Sequence, residues 1–305
     1  MENTTTQTKH EFKVPRLDVH DLVTNIIIEQ LENGVIPWEK PFLSHDNSLK
    51  RLPVNYTTGK QYRGINILLL WCAAMKRGHE TQEWASMKQW NAKGESIRKG
   101  EKGNLVVYYD TFEKEKDGEV QKISFLKASY VFNRSQLKGY TPPESVVDQM
   151  SKVERFEAID KFIANTKAVI EYHSGGAYYM PLEDKIMMPK PEQFLDTDHC
   201  SATENFHSVM FHELTHWTGG EKRLQRINHK KFGDKNYAIE ELVAELGAAF
   251  LCNSFGISSA EKGNHAAYID NWLKVLKENN RCIVTAASEA SKAVEFLHTM
   301  QTVPL

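Results

Sequence analysis

The chain has 305 residues, of which 26% are charged and 41% hydrophobic, and a formal net charge of −2 at pH 7. That composition excludes a disordered or fibrous chain and a uniformly basic nucleic-acid binder, and the length favours two domains over one core. No apolar run approaches the roughly 18 residues that span a bilayer, and the polar start MENTTTQTKHEFK has no secretion-signal core.

Four widely spaced cysteines, Cys72, Cys200, Cys252 and Cys282, form no C-x-x-C pair, so neither a disulfide framework nor a cysteine zinc site is expected. A soluble, cytoplasmic protein without membrane partners is the expectation.

Residues 1 to about 16 read as a polar tail. From Asp18, apolar residues at helical spacing (Val19, Leu22, Ile26, Ile27, Leu31) followed by Gly34 and Pro37 predict a helix over 18–33. After a polar loop, GINILLLWCAAMKRG predicts a buried helix closed by Gly78. NLVVYYDTFEKEKDGEVQKISFLKASYVFN, split by the turn KEKDGE, predicts a hairpin plus another strand. Paired prolines in LKGYTPPESVVDQMSK place a linker at 138–152. Beyond it come a helix (VERFEAIDKFIANTK), a β-like run (AVIEYHSGGAYYMP), a short strand (DKIMMP) and a mostly helical remainder. The expected fold is α+β in two domains, an N-terminal α+β domain over 17–140 and a mainly helical domain with a small β-sheet over 152–305.

One of those later helices carries HSVMFHELTHWTGG. Ser201 and Glu204 have capping-box spacing and Gly219 supplies a stop, so His212 and His216, four residues apart, share one helix face. In H-E-x-x-H the two imidazoles reach one zinc ion, and Glu213 beside them is placed to deprotonate a water activated there. A metzincin would have a histidine where Lys222 stands, so a glutamate from the next helix is sought as third ligand. NYAIEELVAELGAAFLC offers Glu241 as the ligand, Glu240 as the reserve and Glu245, one turn on from Glu241, to orient a histidine from behind. Two imidazoles and a carboxylate favour zinc and leave room for manganese. Upstream, the Tyr178–Tyr179 region would form an edge strand for an extended peptide, and Tyr237 or a strand tyrosine could steady an oxyanion.

The net charge hides an asymmetry. Residues 51–105 carry ten Lys/Arg against four Glu, an excess of six. Lys60, Tyr62, Arg63, Trp90, Arg98, Lys99 and Lys102 interleave cations with aromatic rings and glycines. That mixture fits a single-stranded nucleic acid, whose phosphates take cations and whose unpaired bases stack, and equally fits a solvated basic face over an aromatic core.

Taken together, PW, NYTTGKQYRGIN, IRKGEKGNLVV and VFNRSQ resemble the single-stranded-DNA-binding domain of the plasmid antirestriction proteins of the ArdC type. AYYMPLEDKIMMP, FHELTHWTGGEKRL and YAIEELVAELGAAFL resemble the zincin-like metallopeptidase domain that accompanies it. The resemblance covers about residues 17–300. It implies single-strand binding, protection of incoming conjugative plasmid DNA from host restriction, His212, His216 and Glu241 as zinc ligands, and Glu213 as base. It leaves two other readings open: a DNA-coating protein with a structural or inactive metal site, and a DNA-stimulated protease acting on DNA-bound proteins, a host restriction-system protein among them.

Overall fold

The computed structural model describes residues 18–39, 52–116, 119–142, 151–198, 200–227, 235–259 and 265–301. The tail at 1–16, part of the polar loop and most of the expected linker lie outside these residues.

Helix α1 (Val19–Glu32) begins where the Asp18 carboxylate accepts a hydrogen bond from the His20 backbone N–H at 3.1 Å, and buries Val23, Ile27 and Leu31 along one stripe. Helix α2 (Ile65–Arg77) stops at Gly78, whose φ of 63° only glycine adopts freely. Around them lie strands β1 (Val54–Asn55) and β2 (Glu83–Ala85), the short helix α3 (Met87–Ala92), and strands β3 (Asn104–Lys116) and β4 (Glu119–Asn133), in sheet order β1-β2-β4-β3. The expected third strand in the 104–133 region is absent. β3 and β4 pair without interruption from Asn104↔Val131 to Lys116↔Glu119, so the apparent breaks in apolar content are polar residues within one long hairpin.

The second half opens with α4 (Lys152–Asn165) and a sheet of β5 (Val169–His173), β6 (Tyr178–Met180) and β7 (Lys185–Pro189). Its order is β5-β7-β6, with β6 antiparallel to β7 on an edge. Four helices follow: α5 (Ala202–Thr218), α6 (Lys235–Phe255), α7 (His265–Glu278) and α8 (Cys282–Thr299). The expected capping box starts α5: Ser201 Oγ accepts from the Glu204 N–H at 3.3 Å, and Glu204 Oε2 accepts from the Ser201 N–H at 3.0 Å. This is the α+β, two-domain architecture read from the sequence, with the paired acids on α6 facing back toward α5.

The halves share one apolar core. Val23, Ile27 and Trp71 belong to the same buried cluster as Phe250 and Ala287, and the Trp71 and Phe250 rings meet edge to face at 5.8 Å. Polar contacts fix the register between them. Thr24 Oγ1 donates to the Asn280 carbonyl at 2.6 Å, Asn280 Nδ2 donates to Asp21 at 2.6 Å, and the Gly64 N–H donates to Ser291 Oγ at 2.8 Å.

Helices α5 and α6 approach closely because residue 247 is glycine. A Cβ there would lie 2.5 Å from Thr215 Cγ2 and 2.6 Å from Thr215 Oγ1, and Thr215 is held in place by donating to the Phe211 carbonyl at 2.7 Å. We therefore expect Gly247→Ala to destabilise the fold by about 1–3 kcal/mol through overpacking, although alanine is the better helix former by about 1 kcal/mol. Thermal unfolding checks this, with a lowered midpoint as the expected outcome.

Candidate metal centre and nucleic-acid interface

The close contact of α5 and α6 brings the sequence-predicted ligands together. One ligand atom each from His212, His216 and Glu241 lie within 4.8 Å of one another. Glu241 Oε2 is 3.6 Å from His212 Nε2, and Glu241 Oε1 is 3.4 Å from His216 Nε2. Both Nε2 atoms thus face the carboxylate, while both Nδ1 atoms face outward.

Each outward nitrogen meets another acid. His216 Nδ1 lies 3.3 Å from Glu240 Oε1, and His212 Nδ1 lies 3.9 Å from Glu245 Oε1. A carboxylate behind Nδ1 fixes the tautomer that leaves the Nε2 lone pair directed inward. Glu245 lies on the Nδ1 side of His212, the side expected for an orienting acid, but at 3.9 Å it is beyond hydrogen-bond distance. Glu240, the reserve ligand, instead backs the second histidine.

Arg226 holds Glu240 in that role. Its guanidinium, nearly inaccessible, donates to Glu240 Oε1 at 3.1 Å and Oε2 at 3.2 Å, to Thr218 Oγ1 at 3.0 Å and to the Thr215 carbonyl at 2.8 Å. The bidentate pair is planar and rigid, so the imidazole it backs is rigid as well.

Two imidazoles and one carboxylate, converging with positions left over for water and substrate, fit a divalent cation. The protonation pattern agrees. Burial disfavours charge on His216, but the Glu240 and Glu241 carboxylates outweigh it and raise its pKa to about 10. Glu241 is likewise opposed by burial, yet hydrogen bonds with His212 and His216 hold it well below the usual carboxylate range. A proton therefore occupies the pocket of negative charge that suits a cation, and cation binding displaces it.

Glu213 faces the same space. Its side chain is 5% exposed, burial pushes its carboxyl up, a backbone hydrogen bond from Tyr179 on β6 reaches it, and its Oε2 has no partner. A buried, partly desolvated carboxyl with one open oxygen is poised to exchange a proton with a reacting group. Tyr237 stands beside it on α6. Burial, then the charge of Glu241 and a hydrogen bond with it, then the Glu213 charge, push its hydroxyl up to about 12, so it stays protonated at neutral pH. Of the two strand tyrosines, Tyr178 is exposed and Tyr179 donates to Asp184 at 2.9 Å and accepts from Arg223 at 2.9 Å.

The basic residues of the first half separate into three places. Arg98 and Lys102 line an open groove of ≈ 780 Å³ with Arg77, His79, Ser135 and Tyr140 and with the acids Glu80 and Glu101, the second of which accepts from Arg98 at 2.7 and 3.0 Å. Arg77, counted in the basic excess of residues 51–105 but not singled out with the seven, ends an apolar helix. Trp90 is fully buried and donates through Nε1 to the Phe132 carbonyl at 3.0 Å, so no base can reach its ring, contrary to the sequence expectation. The ring lies under Tyr56, with centroids 4.8 Å apart. Tyr56 is 38% exposed and has the Arg134 guanidinium 5.1 Å from its centre. Tyr62 is half-buried and its hydroxyl accepts from Asn55 at 3.4 Å, while Lys60 and Lys99 are exposed. Arg63 lies at the seam between the halves, ion-paired with Glu295. The hairpin also exposes Tyr108, Tyr109 and Tyr130, rings the sequence pattern assigns to strand packing.

Replacing Arg226 by Ala or Glu240 by Gln is expected to lower affinity for a divalent cation by about 10–100-fold while the ligand set itself is untouched. Titration of the metal-free protein with zinc or manganese measures it. Unchanged affinity would show that the outer carboxylate does not position His216.

Comparison with known proteins brings the two halves under one description. Residues 17–132 match the family model for the N-terminal domain of anti-restriction factor ArdC, and residues 157–289 match that for a zincin-like metallopeptidase. The crystal structure of the antirestriction ArdC protein from the R388 plasmid, metal-free, superposes with a TM-score of 0.76 at 36% identity, covering 93% of this chain and 98% of that one. Its Mn(II)-bound structure gives 0.75 at 35% identity. The uncharacterized protein y4eC of Sinorhizobium fredii is 35% identical over 93% of both chains. The DNA primase TraC of Escherichia coli is 34% identical over 91% of this chain, which spans only 27% of that protein. This chain belongs to the ArdC family of antirestriction proteins, with an ArdC N-terminal domain joined to a zincin-like metallopeptidase domain.

Proposed function

We propose that this protein binds single-stranded DNA through its N-terminal domain, hydrolyses peptide bonds at the His212–Glu213–His216–Glu241 centre, and so protects incoming conjugative plasmid DNA from host restriction. The observation that carries the enzymatic part is the open oxygen of buried Glu213 beside three converging ligand atoms. A domain boundary within 138–152 is part of the same proposal, as is action in the cytoplasm, which suits four buried, unbridged cysteines. Among the described residues no helix is long and apolar enough to cross a membrane.

A divalent cation held by His212, His216 and Glu241, zinc by the donor chemistry with manganese as the alternative, supplies Lewis acidity, polarising a carbonyl and acidifying a water. The remaining chemistry belongs to the chain. Glu213 accepts the proton of the attacking water and passes it to the departing amine, and its raised pKa brings both transfers nearer to neutral pH. Tyr237 donates a hydrogen bond to negative charge developing on the carbonyl oxygen. Strand β6 lies at the edge of its sheet, and an extended peptide would pair with its backbone there.

For DNA, the groove of Arg77, Arg98 and Lys102 takes phosphates, and Tyr56, propped on Trp90 and flanked by Arg134, offers a stacking face. The likeness to a region of DNA primases supports this half of the reading.

Transfer of unmodified plasmid DNA into a restricting recipient tests the whole. With Glu213→Gln at matched expression, protection is expected to fall to the level seen without the protein while single-strand affinity stays unchanged. Retained protection would mean that DNA binding suffices and hydrolysis serves another purpose.

The DNA face is tested separately. Tyr56→Ala is expected to weaken oligonucleotide binding by about 1–3 kcal/mol at any salt concentration. Arg98→Ala and Lys102→Ala are each expected to reduce the salt dependence of log affinity by ~1. Fluorescence anisotropy with a labelled single strand reads both, and variants indistinguishable from wild type would sink the assignment.

A further inference from the structure

The turn after α5, residues 219–227, carries two buried arginines that serve different elements. Arg226 holds Glu240 on α6. Arg223 holds the small sheet. Its guanidinium donates to both oxygens of Asp184, from Nη1 at 3.2 Å and also from Nη2, and to the Tyr179 hydroxyl at 2.9 Å, while Nε donates to the Trp217 carbonyl. The guanidinium also lies over the Trp217 ring, 3.9 Å from its centre. One side chain therefore ties the residue that follows ligand His216 to strand β6 and to the turn between β6 and β7.

The latch is closely fitted on both sides. Gly220 leaves the space that the guanidinium fills, since a Cβ there would collide with Arg223 Nη2 and lie 2.6 Å from Tyr179 Oη. Asp184 has a φ of 54°, a left-handed backbone that costs an L-residue energy and persists where the surroundings fix it. The hydrogen bond from Arg223 is the main cause that holds the Asp184 carboxyl below the usual carboxylate range, so the pair stays charged and bidentate at neutral pH.

The strand held in this way lies against the proposed base. The Tyr179 backbone N–H reaches the Glu213 carboxylate, and Ala177, just before β6, lines a cavity with His212 and Glu213. A segment pairing with β6 at the sheet edge would therefore run past Glu213. We propose that Arg223 is a positioning residue for the peptide: through Asp184 and Tyr179 it fixes the β6 edge against the C-terminal end of α5, so that a main chain paired there presents its carbonyl to the metal centre. The proposal rests on the peptidase reading above. It divides the labour of one turn, with Arg226 setting the metal side through Glu240 and His216 and Arg223 setting the substrate side. Drift of β6 would leave the ligands in place and misalign the bond to be cut.

The test uses the full-length protein loaded with zinc and two hydroxamates as probes. Acetohydroxamate binds through the metal alone. Trialanine hydroxamate adds an extended main chain with minimal side chains, so its advantage over acetohydroxamate reads pairing with β6. Zinc titration of the metal-free protein and steady-state cleavage of fluorescein-labelled casein give two further readouts. The trialanine probe is expected to bind about tenfold tighter than acetohydroxamate, the worth of one or two main-chain hydrogen bonds. Arg223→Ala and Asp184→Asn are each expected to remove that advantage and to raise the KM for casein more than they lower kcat, with zinc and acetohydroxamate affinities unchanged. Arg223→Lys, which keeps the charge opposite Asp184 but not the fork, should retain part of the advantage. Arg226→Ala should do the reverse, weakening zinc binding while sparing the ratio between the two probes at saturating zinc. Thermal unfolding is the folding control, and Tyr179→Phe, which spares the ion pair, gives a smaller loss of the advantage in a milder variant.

A probe ratio unchanged in Arg223→Ala, Asp184→Asn and Tyr179→Phe, or zinc affinity falling in parallel with it, would overturn the proposal and, with casein still cut, leave the peptidase reading intact. Equal affinity of the two probes for the wild type would remove β6 as a peptide edge and the proposal with it. An Arg223-dependent ratio with no casein cut would support the positioning role and overturn the peptidase reading.

Discussion

The site depends on how closely two helices meet. Thr215 on α5 and Gly247 on α6 touch with no room for another carbon, and this contact sits between the ligands at 212 and 216 and the acids at 240, 241 and 245. Acids on one helix reach imidazoles on another only when the backbones lie this near, because a glutamate side chain spans only a few ångströms. The rest of the centre follows. Glu241 enters between the two Nε2 atoms, and Glu240 and Glu245 fall behind the two rings.

That geometry also accounts for the three acids, Glu240, Glu241 and Glu245, clustered with Glu213 where α5 meets α6. Burying so many carboxylates is costly unless each meets a proton donor or a cation. Here His216 and Arg226 share Glu240, the two imidazoles share Glu241, and His212 meets Glu245. Of these acids Glu213 alone has a buried oxygen without a hydrogen-bond partner, one of several such atoms among the described residues, and its position beside the converging ligand atoms is what supports its proposed role as the base.

The helices, the capping box and the two histidines were legible in the sequence because they depend on local spacing: four residues along a helix return to the same face. Glu241 was legible as an acid among Leu, Val and Ala. The division of labour between Glu240 and Glu241 was not, since adjacent helix positions differ by about 100° and only Arg226, arriving from the turn after α5, decides which histidine each one meets. Trp90 failed for a related reason. A tryptophan among lysines and glycines reads as a stacking platform, whereas the fold buries it and leaves Tyr56 above it as the accessible ring. The one long hairpin was read as three strands because polar residues interrupt an apolar run without interrupting its pairing. Glu39 lines a cavity beside His212 whose other walls, Trp38 apart, lie 138 or more residues further along the chain, a placement that depends on how the segment after α1 docks on the second half and was invisible before the fold.

The shared core between the two halves carries a consequence for how such a protein is inherited. Val23, Ile27 and Trp71 are covered by residues of the second half, so separating the domains would strip apolar surface from both and unmake the turn that holds Trp38. Recombination that cut between them would yield two aggregation-prone fragments rather than two working parts. The two halves are therefore expected to hold together only when both are present, whether in a chain of this length or within a longer polypeptide such as TraC, of which this chain spans 27%.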